Sequence, residues 1–282
     1  MCITLFSTAH KDYALILANN RDEFLVRPTQ RTHWWSDDAE KTKILAPRDL
    51  QRPERGTWLG ISSSGKIANV TNFREKGEMI LKGKSRGALV KEFLTFPHGK
   101  EEFATHLVNE IGVVDFGGFT LLFGDSMTSG SFDIISNRTE SPDEVVDVAR
   151  GQTRAFSNSL FGDATWPKVV KGEEMLGEIV GKDWERDELV QELFATLSTD
   201  TLPRHPKHDE DFQSWAFELR KSIFIPPVDA GQGNHYGTQT QIVLLVGRNG
   251  EVTFVERMLY QDGKPVPERE RESSFQFTIK DG

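Results

Sequence analysis

Cys2 is the only cysteine of the chain, and its position makes chemistry available without a second side chain. Once the initiator Met1 is removed, residue 2 carries both a thiol and the α-amine. An α-amine titrates near pH ~8, so it can take the thiol proton and serve as base for its own nucleophile. The plainer reading is a small hydrophobe at the start of a buried strand. What favours chemistry is the polar run Asn19-Asn20-Arg21-Asp22-Glu23 behind the apolar run Tyr13 to Ala18. If His10, Lys11 and Asp12 turn the chain, Asn19 to Asp22 lie across from Met1 to Ile3. A carboxylate at Asp22 would then hold or orient the amine. On the plainer reading, the polar run is a solvated turn with a local Arg–Asp pair.

The elements that must position these groups follow from residue pattern. Cys2 to Thr8 and Tyr13 to Ala18 read as a hairpin. The second strand barely alternates, so both its faces should be buried. Asn19 to Trp35 is expected to leave the sheet as a loop, and Asp37 to Arg55 to be an exposed loop around Pro47 and Pro53. Thr57 to Ile61 and Lys66 to Thr71 form a second hairpin, turned by Ser62 to Gly65. Gly77 to Ser85 is a polar connector. Apolar spacing predicts helices over Arg86 to Thr95 and Glu101 to Ile111. Strands are expected over Phe119 to Phe123, Phe132 to Ser136 and Thr153 to Ser157. Pro167 suits the first turn of a helix running to about Val180. Further helices are expected over Asp187 to Leu197 and Phe212 to Lys221. A Pro/Gly-rich loop follows from Ile225 to His235, then strands Gln241 to Val246, Val252 to Tyr260 and Ser274 to Ile279. Blocks of strands alternating with blocks of helices point to an α+β fold: two packed antiparallel sheets with helices outside. The expected organisation is one domain over residues 1–282.

Composition narrows the function classes. The 282 residues are 37% hydrophobic, enough for a substantial core, and the net charge of −9 argues against a nucleic-acid partner. A lone cysteine rules out an internal disulfide framework and fits a reducing compartment. The N-terminus lacks a basic n-region and a long apolar run, which reads against a secretory signal. The first twenty residues hold no Arg, which reads against a mitochondrial presequence. No stretch reaches the ~20 apolar residues of a membrane span. The default expectation is a cytoplasmic protein.

Beyond Cys2 and Asn20-Arg21-Asp22-Glu23, a series of short segments runs the length of the chain. They are Gly56-Thr57-Trp58-Leu59-Gly60, Ala68 to Arg74 (ANVTNFR), Ser85-Arg86-Gly87, Ser157-Asn158-Ser159 with Trp166-Pro167-Lys168-Val169, and Tyr236-Gly237-Thr238. In order and spacing they resemble the NRDE family, also called the transport-and-Golgi-organisation-2 family. That resemblance implies an N-terminal-nucleophile (Ntn) hydrolase fold, an αββα sandwich similar to that of the cholylglycine hydrolases. Through the hydrolases, Cys2 matches the nucleophile, Asp22 the amine-binding aspartate, Asn72 the oxyanion-hole asparagine and Asn158 a second site asparagine. Asn20, Arg21, Glu23, Arg74 and Gln239 are the accompanying binding candidates. Two departures stand out: the hydrolases carry arginine where this chain has Asn19 and near Gln239, so charge stabilisation around the thiolate would be weaker.

The resemblance implies no required cofactor and makes haem a candidate ligand, beside acyl-CoA and lipid. It links the family to haem trafficking, lipid metabolism, secretion and Golgi organisation, and so to Golgi or mitochondrial association. The competing implication is a Cys-nucleophile amidohydrolase acting on an amide or acyl bond of a small amphipathic substrate. A metal site is not expected: His205 and His208 are three apart in a charged, Pro-containing segment with no further ligand to complete a set. Trp34, Trp35, Trp58, Trp166, Phe73 and Phe161 read mainly as core. Those that line a pocket would suit an amphipathic ligand.

Overall fold

In a computed structural model of the chain, residues 1–35, 43–73, 84–125, 131–202 and 212–279 are described. The chain opens with the hairpin β1 (Ile3–Ser7) and β2 (Tyr13–Phe24). Strands β3 (Thr29–Trp34), β4 (Ile44–Asp49), β5 (Leu59–Ser62) and β6 (Lys66–Asn72) follow. Helices α1 (Arg86–Thr95) and α2 (Lys100–His106) separate them from β7 (Phe119–Asp125), β8 (Phe132–Ser136) and β9 (Val146–Val148). After β10 (Thr153–Phe156) come α3 (Pro167–Val180), α4 (Arg186–Leu197) and the short α5 (Phe212–Trp215). The chain closes with β11 (Val228–Asp229), β12 (His235–Gly247), β13 (Glu251–Met258), the small hairpin β14 (Tyr260–Gln261) and β15 (Lys264–Pro265), and β16 (Glu272–Thr278).

The two main sheets are antiparallel throughout. One runs β10-β1-β2-β12-β13-β16, with β11 on β12; the other runs β3 to β9 in chain order. Phe6, Leu15, Leu17, Ile242, Leu244 and Phe254 face the second sheet across the inter-sheet core. The intervening Ile3, Leu5, Ile16, Ala18, Val243 and Leu245 face α3 and α4. This is why Tyr13 to Ala18 does not alternate: one face fills the space between the sheets and the other carries the helices. On the far side, α1 and α2 cover the second sheet, where the rings of Phe93, Phe103 and Phe123 meet edge to face. The layers are helix, sheet, sheet, helix, the expected α+β sandwich.

Several sequence expectations are corrected. The run Asn19 to Glu23 is not a loop but the second half of β2, and Asn19 to Asp22 are buried. It can stay in the sheet because β12 begins six residues earlier than expected and pairs it as far as Phe24. Strand β3 lies in the remainder of that expected loop. Likewise Asp37 to Arg55 contains β4, most of it buried. Pro47 is tolerated there because it faces the irregularity between Gln30 and His33 of β3, where the ladder needs no N–H. Phe212 to Lys221 is one short helix and a 3₁₀ turn rather than a full helix, and the Pro/Gly-rich loop contains β11. Most of the expected connector Gly77 to Ser85 lies outside the described residues.

Candidate functional site

The hairpin delivers the expected juxtaposition at the chain's beginning. Ile3 pairs with Asn20 in the β1–β2 ladder, which sets Met1 beside Asp22. The α-amine is 3.9 Å from Asp22 Oδ2 and donates to the Tyr236 hydroxyl. That hydroxyl donates in turn to the Asp22 main-chain carbonyl at 3.1 Å. From α3, the fully buried Lys168 reaches the same carboxylate: its Nζ is 3.8 Å from Asp22 Oδ2 and donates to the Met1 carbonyl. Thr238 donates its hydroxyl to Asp22 Oδ1 at 2.7 Å, whereas Oδ2 has no hydrogen-bond partner. The Cys2 thiol, half-buried, points to the Asp22 carbonyl at 3.6 Å.

Burial dominates the electrostatics here. It pushes the Asp22 carboxyl up against the opposing pull of the amine and Lys168. It pushes the α-amine and the Lys168 ammonium down, with Asp22 opposing in both cases. The Tyr236 phenol is raised well above its ordinary value by burial and by Asp22, so it stays protonated as a donor.

A second set of bonds joins the two sheets beside Cys2. The Ser157 hydroxyl donates to the Cys2 carbonyl at 2.5 Å, and Thr71 donates to the Ser157 carbonyl at 2.8 Å. The Asn158 side-chain amide donates to the Asn72 carbonyl. Thus the end of β10 ties the start of β1 to the end of β6, bringing Cys2, Asn72 and Asn158 to one end of the sandwich. The Asn72 side chain is exposed there and makes no hydrogen bond among the described residues.

Other expected site residues are engaged within the fold. Asn20 donates to the Leu197 and Ile223 carbonyls at 2.7 and 2.9 Å, fastening β2 to the helical layer. Arg21 is buried on Asp49 at 2.8 Å and on Gln239, with its guanidinium 4.6 Å from the Trp58 ring centre. Gln239 is the extra residue of a bulge between Thr238 and Thr240 in the β2–β12 ladder. The bulge lets its amide donate to the Arg27 carbonyl at 2.9 Å while Thr238 meets Asp22. Asn19, where the hydrolases carry arginine, donates to the Ile3 carbonyl and the Thr4 hydroxyl. Glu23 pairs with Arg27 at 3.4 Å. Arg74, His205 and His208 lie outside the described residues. Among those described, no cluster of metal-ligating side chains occurs.

Positive charge near Cys2 comes instead from residues that sequence reasoning left without a role. Arg27 and Arg86 both stand within electrostatic range of the thiol. Burial works against the Arg27 proton, but Glu23 and Asp49 more than restore it. Arg86 donates to the Gly118 carbonyl at 3.1 Å, the same oxygen that accepts from the main chain of Phe73, next to Asn72. It has no carboxylate partner among the described residues. Burial, then Arg27 and Arg52, press its proton affinity down. Lys168, Tyr236, Thr238 and Ser157 were likewise assigned nothing. Each lies in one of the short segments that carry the family resemblance, and that was the available signal.

The arrangement offers a thiol, a buried carboxylate at the chain terminus, an exposed amide, and a guanidinium with no acid partner among the described residues. A family profile described as transport and Golgi organisation 2 matches residues 1–261. The transport and Golgi organization protein 2 homolog of Bos taurus is 32% identical over 298 residues, covering 99% of this chain and 100% of that protein. The Homo sapiens homolog is 32% identical, covering 92% and 93%. Among solved structures, the penicillin V acylase of Agrobacterium tumefaciens superposes with a TM-score of 0.53 at 12% identity, covering 99% of this chain and 86% of that one. The likeness extends the Ntn-hydrolase fold to this chain.

Proposed function

The chain belongs to the transport and Golgi organisation 2 family, and from that premise we propose that it handles a small amphipathic ligand of the haem, acyl-CoA or lipid class at the Cys2 end of the sandwich. The observation that carries this reading is Arg86, half-buried and without an acid to pair with among the described residues. A carboxylate or phosphate from solvent supplies the missing countercharge, and a guanidinium binds either in a bidentate fork. Phe24, Val26 and Leu50 remain exposed around the end of β2 and the loop after β4, and suit an apolar body. Haem, acyl-CoA and fatty acids all combine an anionic group with such a body. Such a carrier acts in the cytoplasm and serves Golgi or mitochondrial membranes. No helix among the described residues is long and apolar enough to cross a membrane.

Titration with haem by absorbance, and with acyl-CoA by tryptophan fluorescence, tests this. Saturable binding is expected, with Arg86→Ala weakening an anionic ligand at least about tenfold and leaving an uncharged acyl ester unaffected. Absence of saturable binding by any of these ligands refutes it.

A second reading is favoured by a different observation: Asp22 Oδ2, buried and without a hydrogen bond among the described residues, 3.9 Å from the chain's amine, on the residue whose main-chain carbonyl faces the thiol. On that reading Met1 is removed and the Cys2 amine takes the thiol proton as sulfur attacks an acyl carbon. The tetrahedral oxyanion is held by the side-chain amides of Asn72 and Asn158. Collapse returns the proton to the leaving amine and leaves a thioester, which water hydrolyses to free acid and thiol. Losing one such donor costs about 100-fold or more in turnover. Asn72→Ala should therefore abolish most acyl cleavage while leaving the melting temperature unchanged. Intact mass of the protein made in cells, with and without iodoacetamide, decides the premise: retained Met1 ends this reading.

A further inference from the structure

The chain terminus holds an imbalance that neither reading uses. Two amines, the terminal one and that of the buried Lys168, face one buried carboxylate. Their distances to Asp22 Oδ2 are 3.9 and 3.8 Å, so position does not choose between them. With both protonated, the site would hold two cations and one anion, and in a low-dielectric interior the surplus charge is expensive. One amine must give up its proton, and intrinsic basicity decides which: a lysine ammonium holds its proton ~2.5 pH units more tightly than a chain terminus.

We propose that Lys168 is the standing cation of Asp22, and that it thereby keeps the chain's α-amine neutral and basic beside the Cys2 thiol. Lys168 is a positioning residue: it acts on the amine and not on a ligand. The other groups facing the amine fit this assignment. Tyr236 from β12 is a neutral phenol that accepts from the amine while donating to the Asp22 main chain. Cys2 lies on the amine's own strand. From β2, Glu23 would favour a protonated amine but is paired with Arg27, and Arg21 is paired with Asp49. Burial of the amine works in the same direction as Lys168. The assignment holds with Met1 in place, and it holds after its removal. The carbon of the Met1 carbonyl that accepts from Lys168 is bonded to the Cys2 nitrogen, so the newly freed amine lies two bonds from the oxygen that Lys168 touches.

This inference deepens the nucleophile reading, since a neutral amine is the base that reading needs, but its test does not depend on catalysis. The full-length protein is treated with limiting acetic anhydride across pH 5 to 10, and N-terminal acetylation is followed by peptide mass spectrometry. Wild type should react with a midpoint below the ordinary ~8 of a chain terminus. Lys168→Met should raise that midpoint by a unit or more, and Lys168→Arg should keep it low. A wild-type midpoint at or above 8, or an unchanged midpoint in Lys168→Met, overturns the proposal. If Lys168→Met does not fold, the same upward shift is read in Lys168→Gln, which keeps a donor for the Met1 carbonyl but no charge. A low midpoint with no turnover on any amide or ester would leave the inference standing and remove the hydrolase reading.

Discussion

At the residue scale, Asp22 is met from three directions: the chain terminus, Lys168 of α3, and Tyr236 and Thr238 of β12. Thr238 is its closest partner. The Thr238 hydroxyl donates to Asp22 Oδ1 and accepts from the Ile225 main chain at 2.9 Å, so one side chain satisfies two buried groups. Thr238→Val should cost about 2 kcal/mol in urea unfolding, because it leaves both without a partner. Thr238→Ser should cost far less. Equal losses in the two variants would show that the methyl group, not the hydroxyl, matters there. Asp22→Ala should cost more, about 3–5 kcal/mol, because it strands the Lys168 ammonium in a dry interior.

At the element scale, two of the segments that carry the family resemblance, Gly56 to Gly60 and Ser85 to Gly87, turn out to describe one contact. A Cβ added to Gly56 would lie 2.4 Å from the Gly87 carbonyl carbon, and one added to Gly87 would lie 3.0 Å from the Thr57 carbonyl oxygen. The two glycines let the first turn of α1 approach the chain entering β5, and that approach sets the position of Arg86. Gly56→Ala meets backbone that has no rotamer to yield, so it should destabilise by about 2 kcal/mol or more and weaken anionic ligands together with Arg86→Ala. Gly87→Ala should be milder. Differential scanning calorimetry beside ligand titration checks both. This contact also shows what the sequence could disclose. The hairpin pairing that brings the terminus to Asp22 was legible, because the apolar runs and the turn at residues 9–12 fix it. The helices α1 and α3 were legible to the residue, because their spacing and Pro167 mark them. The second half of β2 was not, since a run of five polar residues reads as solvated unless its buried partners are known. Those partners are Leu197, Ile223, Asp49 and Thr238, between 28 and 216 residues away in sequence. Lys168 was hidden for the same reason: a lysine reads as surface until the carboxylate that pairs with it is seen.

At the scale of the whole molecule, the two sheets are joined at separate places, and the joint at Glu256 titrates in the neutral range. Beside Cys2 the joint is made of neutral groups: Ser157, Thr71 and Asn158 with main-chain carbonyls. Elsewhere in the interface it is Glu256 of β13, which accepts from the Thr32 main chain of β3 at 2.9 Å. Thr32 lies in the irregular part of the β3–β4 ladder, so Glu256 satisfies an N–H that the sheet does not. Glu256 is wholly buried, and its Oε1 has no partner. Burial raises its carboxyl to about 7, against the opposing pull of Thr32 and Arg31. The sign follows from proton counting. Between the ordinary glutamate value near ~4.3 and pH 7, the folded state binds the proton and the unfolded state does not, so stability falls as pH rises through that window. Above pH 7 the loss is complete, at about 4 kcal/mol on this scale. Glu256→Gln keeps an acceptor for Thr32 and cannot ionise. Its unfolding free energy should be nearly flat over that range where the wild type declines, and the variant should be the more stable protein at pH 8. Parallel slopes for the two proteins from pH 5 to 8 would place the titration elsewhere. Because the neutral joint at the Cys2 end does not share this dependence, alkaline loosening should begin at the β3–β13 contact, and the protection factor of the Thr32 amide, with the intrinsic base-catalysed rise divided out, should fall with pH before those of Thr71 and Asn72 do.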